Sequence, residues 1–411
     1  MNRNLDERLM RYCMIDTTSD PNNDTVTPST RKQFDLARLL YKELTELGLS
    51  NMRLDEEHCY VYATLPGNVE KPCPTVGFIA HMDTAPDFSG TGVKPRIIED
   101  FDGEDIVLNE ERTIRMDTFP WMRDFRGKRI MVAGGDTLLG ADDKAGIAAI
   151  MEALVYLIGH PEVRHGDIAV AFTPDEEIGN GVEYFDVPGF GADFAYTIDG
   201  DAVNEVNAET FNAMSCEVLI KGSSVHPGSA KDKMVNAGRI GCEFVSKLPE
   251  HMTPEHTEGR EGFIHLTGMS GNCSEARLEF ILRDHDRSKL SEKCGIMKDL
   301  GAYMNRLYGE GVVNVELTES YRNMYEILEK RPEIIEIALE AIREIGCEPE
   351  ISPIRGGTDG SGLTFMGLPC PNLGTGGGNY HGPYEYCVLD DLEKSVEMLV
   401  KISEKVALLE K

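Results

Sequence analysis

Two histidines and three carboxylates, spread over most of the chain, form a set that could bind metal ions: His81, Asp142, Glu177, Asp199 and His381. Nitrogen and oxygen donors without a thiolate suit Zn²⁺, or Mn²⁺ or Co²⁺, better than Mg²⁺. Five donors are more than one catalytic tetrahedral zinc takes from its protein, but they suit two ions if one carboxylate bridges. We expect Asp142, which lies between the others in the sequence, to be that bridge.

Most of these residues follow predicted strands, at the end where a parallel sheet places functional groups. The strands are short apolar runs typical of buried strands. The runs and the residues that follow them are 75–80 with His81, 167–172 with Asp175, Glu176 and Glu177, and 194–198 with Asp199. Asp142 precedes a helix with apolar residues at helical spacing, and His381 lies in a glycine-rich stretch that permits close approach to a ligand.

Each motif also has an ordinary structural explanation. Asp142 could be a helix N-cap, the acidic run at 175–177 a solvated turn, and each histidine a solvated loop residue. Three adjacent acids repel one another, however, and a bound cation is the simplest compensation. The metal hypothesis therefore depends on the whole set rather than on any single motif.

The composition is that of a soluble globular protein with more than one domain. The chain has 411 residues and a net charge of −30, which argues against nucleic acid and anionic membrane as partners. Its ten cysteines include no CxxC pair, so we expect neither a disulfide framework nor a thiolate zinc site. We find no leader-like stretch and no run of about 18 apolar residues, and we expect a cytoplasmic protein.

The hydrophobic patterning predicts an α/β protein of two domains. Residues 1–208 and 321–411 should build a mixed, largely parallel sheet with helices on both faces. Residues 209–320 instead show alternating strands and two helical segments in the order β-α-β-β-α-β, which is typical of a ferredoxin-like α+β domain. We expect this second domain to be inserted into the first.

Several motifs, taken together, cover essentially the whole chain. They are HMD at 81–83, GADDKAG at 140–146, DEEIG at 175–179, TIDG at 197–200, GNYHGP at 378–383, SVHPGSAKDKMVNA at 224–237, ILRDHD at 281–286 and PIRGGTDGSGLTFMGLP at 353–369. This set resembles the co-catalytic zinc exopeptidases related to carboxypeptidase G and aminoacylase. The resemblance implies a zinc-exopeptidase catalytic domain, two Zn²⁺ ions and an inserted lid domain.

The resemblance also implies roles for individual residues and a cis peptide bond between Asp142 and Asp143. The implied roles are ligation of one metal by His81 and Asp199 and of the other by Glu177 and His381, bridging by Asp142, orientation of His81 by Asp83, and general base catalysis by Glu176. In the lid, His226 would stabilise the oxyanion. Arg283 and Arg355 are candidates to grip a substrate carboxylate, with surface solubility or an internal ion pair as the alternative.

Within that family, the motifs resemble more specifically an aminopeptidase that releases the N-terminal residue from tripeptides, with a metal-activated water as nucleophile. Its partners would be small peptides, and a homodimer is possible. Two alternatives stay open. One is a related amide hydrolase such as a dipeptidase, an acyl-amino-acid deacylase or a carboxypeptidase. The other is a metal-dependent peptide-binding protein without catalysis, against which the presence of Glu176 argues because a binder needs no base.

Overall fold

The computed structural model describes residues 3–411, and these form two compact units. The first unit comprises the residues up to Ala208, Met324–Ser352 and Thr358–Lys411. The second comprises Glu209–Asn323 and Pro353–Gly357.

The described residues form α-helices and strands, numbered here in chain order. The helices are α1 (Arg3–Cys13), α2 (Gln33–Glu46), α3 (Ala141–Gly159), α4 (Val187–Phe190), α5 (Ala237–Ser246), α6 (Arg287–Tyr308), α7 (Tyr325–Leu328), α8 (Pro332–Glu344), α9 (Asp359–Phe365) and α10 (Leu389–Val406). The strands are β1 (Ser50–Leu54), β2 (Val61–Leu65), β3 (Val76–His81), β4 (Arg96–Ile98), β5 (Ile106–Val107), β6 (Thr113–Ile114), β7 (Ile130–Val132), β8 (Ile168–Thr173), β9 (Phe194–Gly200), β10 (Glu205–Glu209), β11 (Asn212–Lys221), β12 (Phe263–Gly271), β13 (Glu275–Asp284), β14 (Val313–Tyr321), β15 (Glu350–Pro353), β16 (Asn372–Gly374), β17 (Gly377–Gly378) and β18 (Tyr386–Val388).

The first unit is built on an eight-stranded sheet in the order β1-β2-β8-β3-β9-β16-β10-β15. Its central strands β8, β3, β9 and β16 are parallel, whereas β1, β2 and β10 pair antiparallel with their neighbours. The sequence predicts a mixed sheet, which is confirmed, and the parallel pairings lie at its centre.

Helices cover both faces of this sheet. Alternate residues of β3 enter different apolar clusters: Phe78 and Ala80 pack with residues of α1, α2, α3, α8 and α10, whereas Ile79 packs with Phe190 and Leu363 of α4 and α9. Since side chains alternate along a strand, each cluster lies on its own face. Two-sided burial explains why the central strands read as uninterrupted apolar runs.

The second unit is a four-stranded antiparallel sheet in the order β12-β13-β11-β14, with α5 and α6. The chain order β11-α5-β12-β13-α6-β14 is the predicted β-α-β-β-α-β order. Residues of both helices and all four strands share one apolar core, which includes Phe244, Phe280 and Met297.

The unit boundaries differ from the predicted ones near residues 321–323 and 353–357, which lie with the second unit. Backbone hydrogen bonds explain the second segment: Ile354 N donates to Glu209 O at 2.8 Å, and Phe211 N donates to Gly356 O at 3.2 Å. These bonds tie a distant part of the sequence to the start of the second unit.

Among residues 3–411, no helix combines the length and apolar character needed to cross a membrane.

Candidate metal centre

Three neighbouring parallel strands of the large sheet bring candidate ligands to the same edge. β3 lies between β8 and β9 and is parallel to both. β3 ends at His81, Asp199 is the penultimate residue of β9, and Glu177 follows shortly after the end of β8. The carboxyl ends of parallel strands therefore position one histidine and two acids, as strand ends in open α/β sheets commonly do.

Asp142 lies at a kink at the start of α3. Gly140 has φ +76°, and Asp142 and Asp143 depart from helical dihedral angles. The peptide bond between these two aspartates is cis, as the resemblance implies. Asp143 Oδ1 accepts a hydrogen bond from Gly146 N at 3.1 Å, so Asp143 caps the helix. The ordinary explanation of Asp142 as an N-cap is therefore wrong.

The five predicted ligands form two groups that share Asp142. In the His81 group, His81 Nε2 lies 3.0 Å from Asp142 Oδ1 and 3.5 Å from Asp199 Oδ1. In the His381 group, His381 Nε2 lies 2.9 Å from Glu177 Oε2 and 3.5 Å from Asp142 Oδ2. Within each group the candidate ligand atoms all lie within 4.8 Å of one another. The two oxygens of Asp142 thus face different histidines.

The donors fit a pair of divalent cations. All are imidazole nitrogens or carboxylate oxygens, the set that suits Zn²⁺, Mn²⁺ and Co²⁺. Among the described residues, Glu177 Oε1 is buried without a hydrogen-bond partner. An unpaired buried carboxylate oxygen is costly, and a bound cation would remove that cost.

Asp83 connects the His81 group to the acidic turn. It is fully buried, and His81 Nδ1 lies 3.1 Å from its backbone carbonyl oxygen and 3.3 Å from its Oδ1. The same carboxylate accepts hydrogen bonds from Glu176 N at 3.0 Å and Glu177 N at 3.3 Å. With Nδ1 held in this way, His81 presents Nε2 to the ligand group, which is the usual arrangement of a metal-binding histidine.

Burial and crowding shift the pKa values of the site. Burial, and then the charge of Asp142, raises the pKa of Glu177 to about 7, and burial raises that of Asp199 to about 6. Burial opposes ionisation of Asp142 as well, but hydrogen bonds from His381 and His81 outweigh it and hold its pKa well below the usual range. Hydrogen bonds to Asp142 and Glu177 raise the pKa of His381 to about 11. This excess of acids over bases favours cations.

Glu176 lies beside the ligands, but its carboxylate belongs to neither ligand group. Burial, and then the charge of Asp199, raises the pKa of Glu176 well above its ordinary value. A carboxylate that is easily protonated and lies next to a metal ligand suits transfer of a proton.

Asp175 does not have the role that its position in the acidic run suggests. The ordinary explanation of the run is a solvated turn, but Asp175 is fully buried. Its carboxylate accepts three hydrogen bonds of 2.6 Å, from Ser29 N, Ser29 Oγ and Gln33 Nε2. Ser29 therefore binds the turn after β8, and the N-cap of α2, Lys32, makes no side-chain cap bond.

The other predicted substrate-binding residues belong to the second unit. His226 is exposed, and its Nδ1 accepts a hydrogen bond from Gly228 N at 3.1 Å. Arg283 Nη1 donates to Met214 O at 3.2 Å and Leu282 O at 3.0 Å.

Arg355 is bound on both terminal nitrogens. Its Nη1 donates to Gly259 O and Glu261 O at 2.7 and 2.8 Å, and its Nη2 donates to Thr257 Oγ1 at 3.1 Å. The Arg355 guanidinium thus holds the loop 257–261 through hydrogen bonds to its oxygens. This differs from both alternatives considered for Arg355, a surface charge and an internal ion pair.

Sequence reasoning missed Glu385, a buried acid that contacts the backbone next to Asp142. The only available signal was an acid placed between aromatic residues in the apolar segment YEYCV at 384–388. It also missed Asp359, whose Oδ2 accepts a hydrogen bond from Thr173 Oγ1 at 2.7 Å and whose pKa burial raises to about 7.

Comparison with known proteins identifies the class. Residues 116–405 match the model of peptidase family M20/M25/M40. Peptidase T of Alkaliphilus oremlandii (strain OhILAs) is 50% identical over 406 residues, which cover 98% of this chain and 99% of that protein. Peptidase T of Caldanaerobacter subterraneus subsp. tengcongensis is 52% identical over 400 residues, with 97% of each chain covered.

A solved structure shows the same fold. The crystal structure of aminopeptidase PepT from Bacillus cereus ATCC 10987 matches with a TM-score of 0.76 and 24% identity, covering 98% of both chains. The chain belongs to peptidase family M20/M25/M40. It is therefore an enzyme, a peptidase that hydrolyses peptide bonds.

Proposed function

We propose that this enzyme is a dinuclear zinc aminopeptidase that releases the N-terminal residue from tripeptides. The observation that carries the metal assignment is the sharing of Asp142 between the His81 group and the His381 group. The relatives named Peptidase T, about half identical over nearly the full chain, support the assignment to tripeptides. The donor set is compatible with Mn²⁺ or Co²⁺ in place of zinc.

In the proposed mechanism, the five ligands hold the ions and Glu176 moves the proton. When bound, the ions would polarise the scissile carbonyl and make a water molecule more acidic. Glu176 takes a proton from this water while the water oxygen attacks the carbonyl carbon. It then gives the proton to the leaving amine nitrogen as the C–N bond breaks. Asp83 keeps Glu176 and Glu177 in place through their backbone N–H groups.

Substrate length would be measured by recognition of both charged ends. An extended tripeptide separates its ammonium and carboxylate by roughly 10 Å. Of the two candidate arginines, Arg283 suits the carboxylate better. Both terminal nitrogens of Arg355 already donate hydrogen bonds to the loop 257–261, whereas Arg283 donates such bonds from Nη1. Oxyanion stabilisation by His226 and closure of the second unit as a lid are part of the same proposal, and both rest on the family resemblance.

A peptide panel tests this function against the related amide hydrolases. Peptides of two, three and four residues with free or blocked ends would be assayed with and without Zn²⁺, Mn²⁺ or Co²⁺. We expect free tripeptides to be the best substrates. C-terminal amidation should lower kcat/KM by about tenfold or more, because it leaves the group that binds the carboxylate as an unpaired charge in the site.

Three results would contradict the proposal. Equal cleavage of free tripeptides, their amides and pentapeptides would refute recognition of both ends. Preferred release of a C-terminal residue or an acyl group would favour one of the alternative hydrolases. No turnover with peptide binding retained would favour the binding protein.

A further inference from the structure

Glu385 is a buried acid with an unusual set of partners. It is 1% exposed. Its Oε2 accepts hydrogen bonds from Leu139 N at 2.7 Å and Gly140 N at 2.8 Å, and its Oε1 accepts one from Asp142 N at 3.1 Å. All three donors are backbone N–H groups, two in the turn before α3 and one at the kinked start of α3. Hydrogen bonds of this type to a charged acceptor are stronger than neutral ones.

These bonds join two segments that are far apart in the sequence, and each segment carries a candidate ligand. Glu385 follows His381 by four positions, in the turn that begins after that histidine, and Glu385 N donates to Gly382 O at 3.4 Å. The other segment carries Asp142. His381 Nε2 and Asp142 Oδ2 lie 3.5 Å apart, so the Glu385 carboxylate closes a loop of contacts around the His381 group.

We propose that Glu385 is a positioning residue that sets the separation of Asp142 and His381 and thereby the metal affinity of the site. The inference rests on the proposed dinuclear function. Glu385 itself belongs to neither ligand group, so it acts through the backbone of Asp142 rather than on the ions. Supports of this kind commonly change metal affinity by about 10- to 100-fold when they are removed.

Two variants separate geometry from charge. In Glu385→Gln, the amide oxygen can still accept from Leu139 N and Gly140 N. The amide NH₂ group then faces Asp142 N, so two hydrogen-bond donors meet and that bond is lost. In Glu385→Asp the negative charge remains, but the side chain is one methylene shorter and cannot span the same gap. Loss of positioning should affect both variants, whereas loss of charge should affect only the first.

Glu152→Gln is the matched control. Glu152 is another buried acid of the first unit, 3% exposed, and it accepts a hydrogen bond from Arg8 Nε at 2.8 Å. It lies in the same helix as Asp142, ten positions along. Its substitution also removes a buried charge, but at a place remote from the ligands.

The experiment titrates each full-length, metal-free protein with Co²⁺ and follows the visible absorption bands, with a thermal melt to show that each variant is folded. We expect two Co²⁺ ions in the wild-type protein. In both Glu385 variants the affinity for at least one ion should fall by about 10- to 100-fold with changed absorption bands. Glu152→Gln should bind like the wild-type protein even if its melting temperature falls.

Each other outcome contradicts the proposal in a different way. Wild-type affinities in Glu385→Gln would overturn the inference and leave the proposed function intact. Wild-type affinity in Glu385→Asp with loss in Glu385→Gln would show that charge, not position, matters. A wild-type protein that binds no Co²⁺ would overturn both. If Glu385→Gln does not fold, Glu385→Asp alone decides, because wild-type affinity in it overturns positioning.

Discussion

At the residue scale, Glu176 is distinguished from its neighbours because it is an acid of the site whose carboxylate binds in neither ligand group. We expect Glu176→Gln to lose nearly all turnover, about 100-fold or more in kcat, because glutamine cannot accept the proton of the attacking water. The measurement is kcat for a good tripeptide, together with Co²⁺ affinity. Retention of about a tenth of the wild-type rate would mean that another group is the base.

The control for that variant is Glu177→Gln, one position further along. Glu177 Oε2 lies 2.9 Å from His381 Nε2, within a ligand group. Its substitution should weaken metal binding as well as turnover, whereas Glu176→Gln should leave metal binding close to that of the wild-type protein. Equal loss of metal binding in the two variants would contradict the separate roles.

The two candidate arginines should differ in their kinetic effects. Arg283→Ala should lower kcat/KM for free tripeptides by about tenfold or more and leave tripeptide amides nearly unchanged, because only the free peptide offers a carboxylate. Arg355→Ala should instead lower thermal stability, because it releases the loop 257–261. If Arg355→Ala alone abolished the preference for free tripeptides, this assignment would be reversed.

At the scale of elements, the connection after β8 depends on Asp175 and its bonds to Ser29 and Gln33. Asp175→Asn should lower the free energy of unfolding by about 1–3 kcal/mol, because buried donors lose a charged acceptor. Asparagine tolerates the left-handed φ of +52° at this position, so the loss would report on the hydrogen bonds. Denaturant unfolding measures it, with the exposed Glu183→Gln as control.

The elements themselves were largely predictable because burial imposes a period on the sequence. Two-sided burial produced the apolar runs of β3 and β8, and one-sided burial produced the alternation of β11 and β13. Their order then placed His81 and Asp199 at strand ends. The partners of Ser29, Asp175 and Glu385 were not predictable, because their contacts join positions more than a hundred residues apart and have no periodic signature.

At the scale of the whole molecule, metal binding should be linked to pH. Without metal, hydrogen bonds to Asp142 and Glu177 raise the pKa of His381 to about 11, so this histidine is protonated at neutral pH. A histidine must be neutral to bind a metal, so binding should release protons and affinity should rise as the pH increases. Calorimetry in buffers of different ionisation enthalpy counts the protons. Binding without proton release would contradict the hydrogen-bonded histidine.

The division into units also shows where sequence reasoning reaches its limit. Alternation and helical periodicity located the second unit over a long stretch, but Pro353–Gly357 is too short to show any period. Its membership depends on hydrogen bonds to Glu209 and Phe211, which lie far away in the sequence.

That short segment has a consequence for modularity. The second unit contains two separate segments of the chain, and the shorter one supplies Arg355, which binds the loop 257–261. A gene exchange that replaced residues 209–323 as one block would therefore separate this loop from the arginine that holds it. Successful recombination between relatives, natural or engineered, should move Pro353–Gly357 together with the larger block, so the unit is inherited in two pieces.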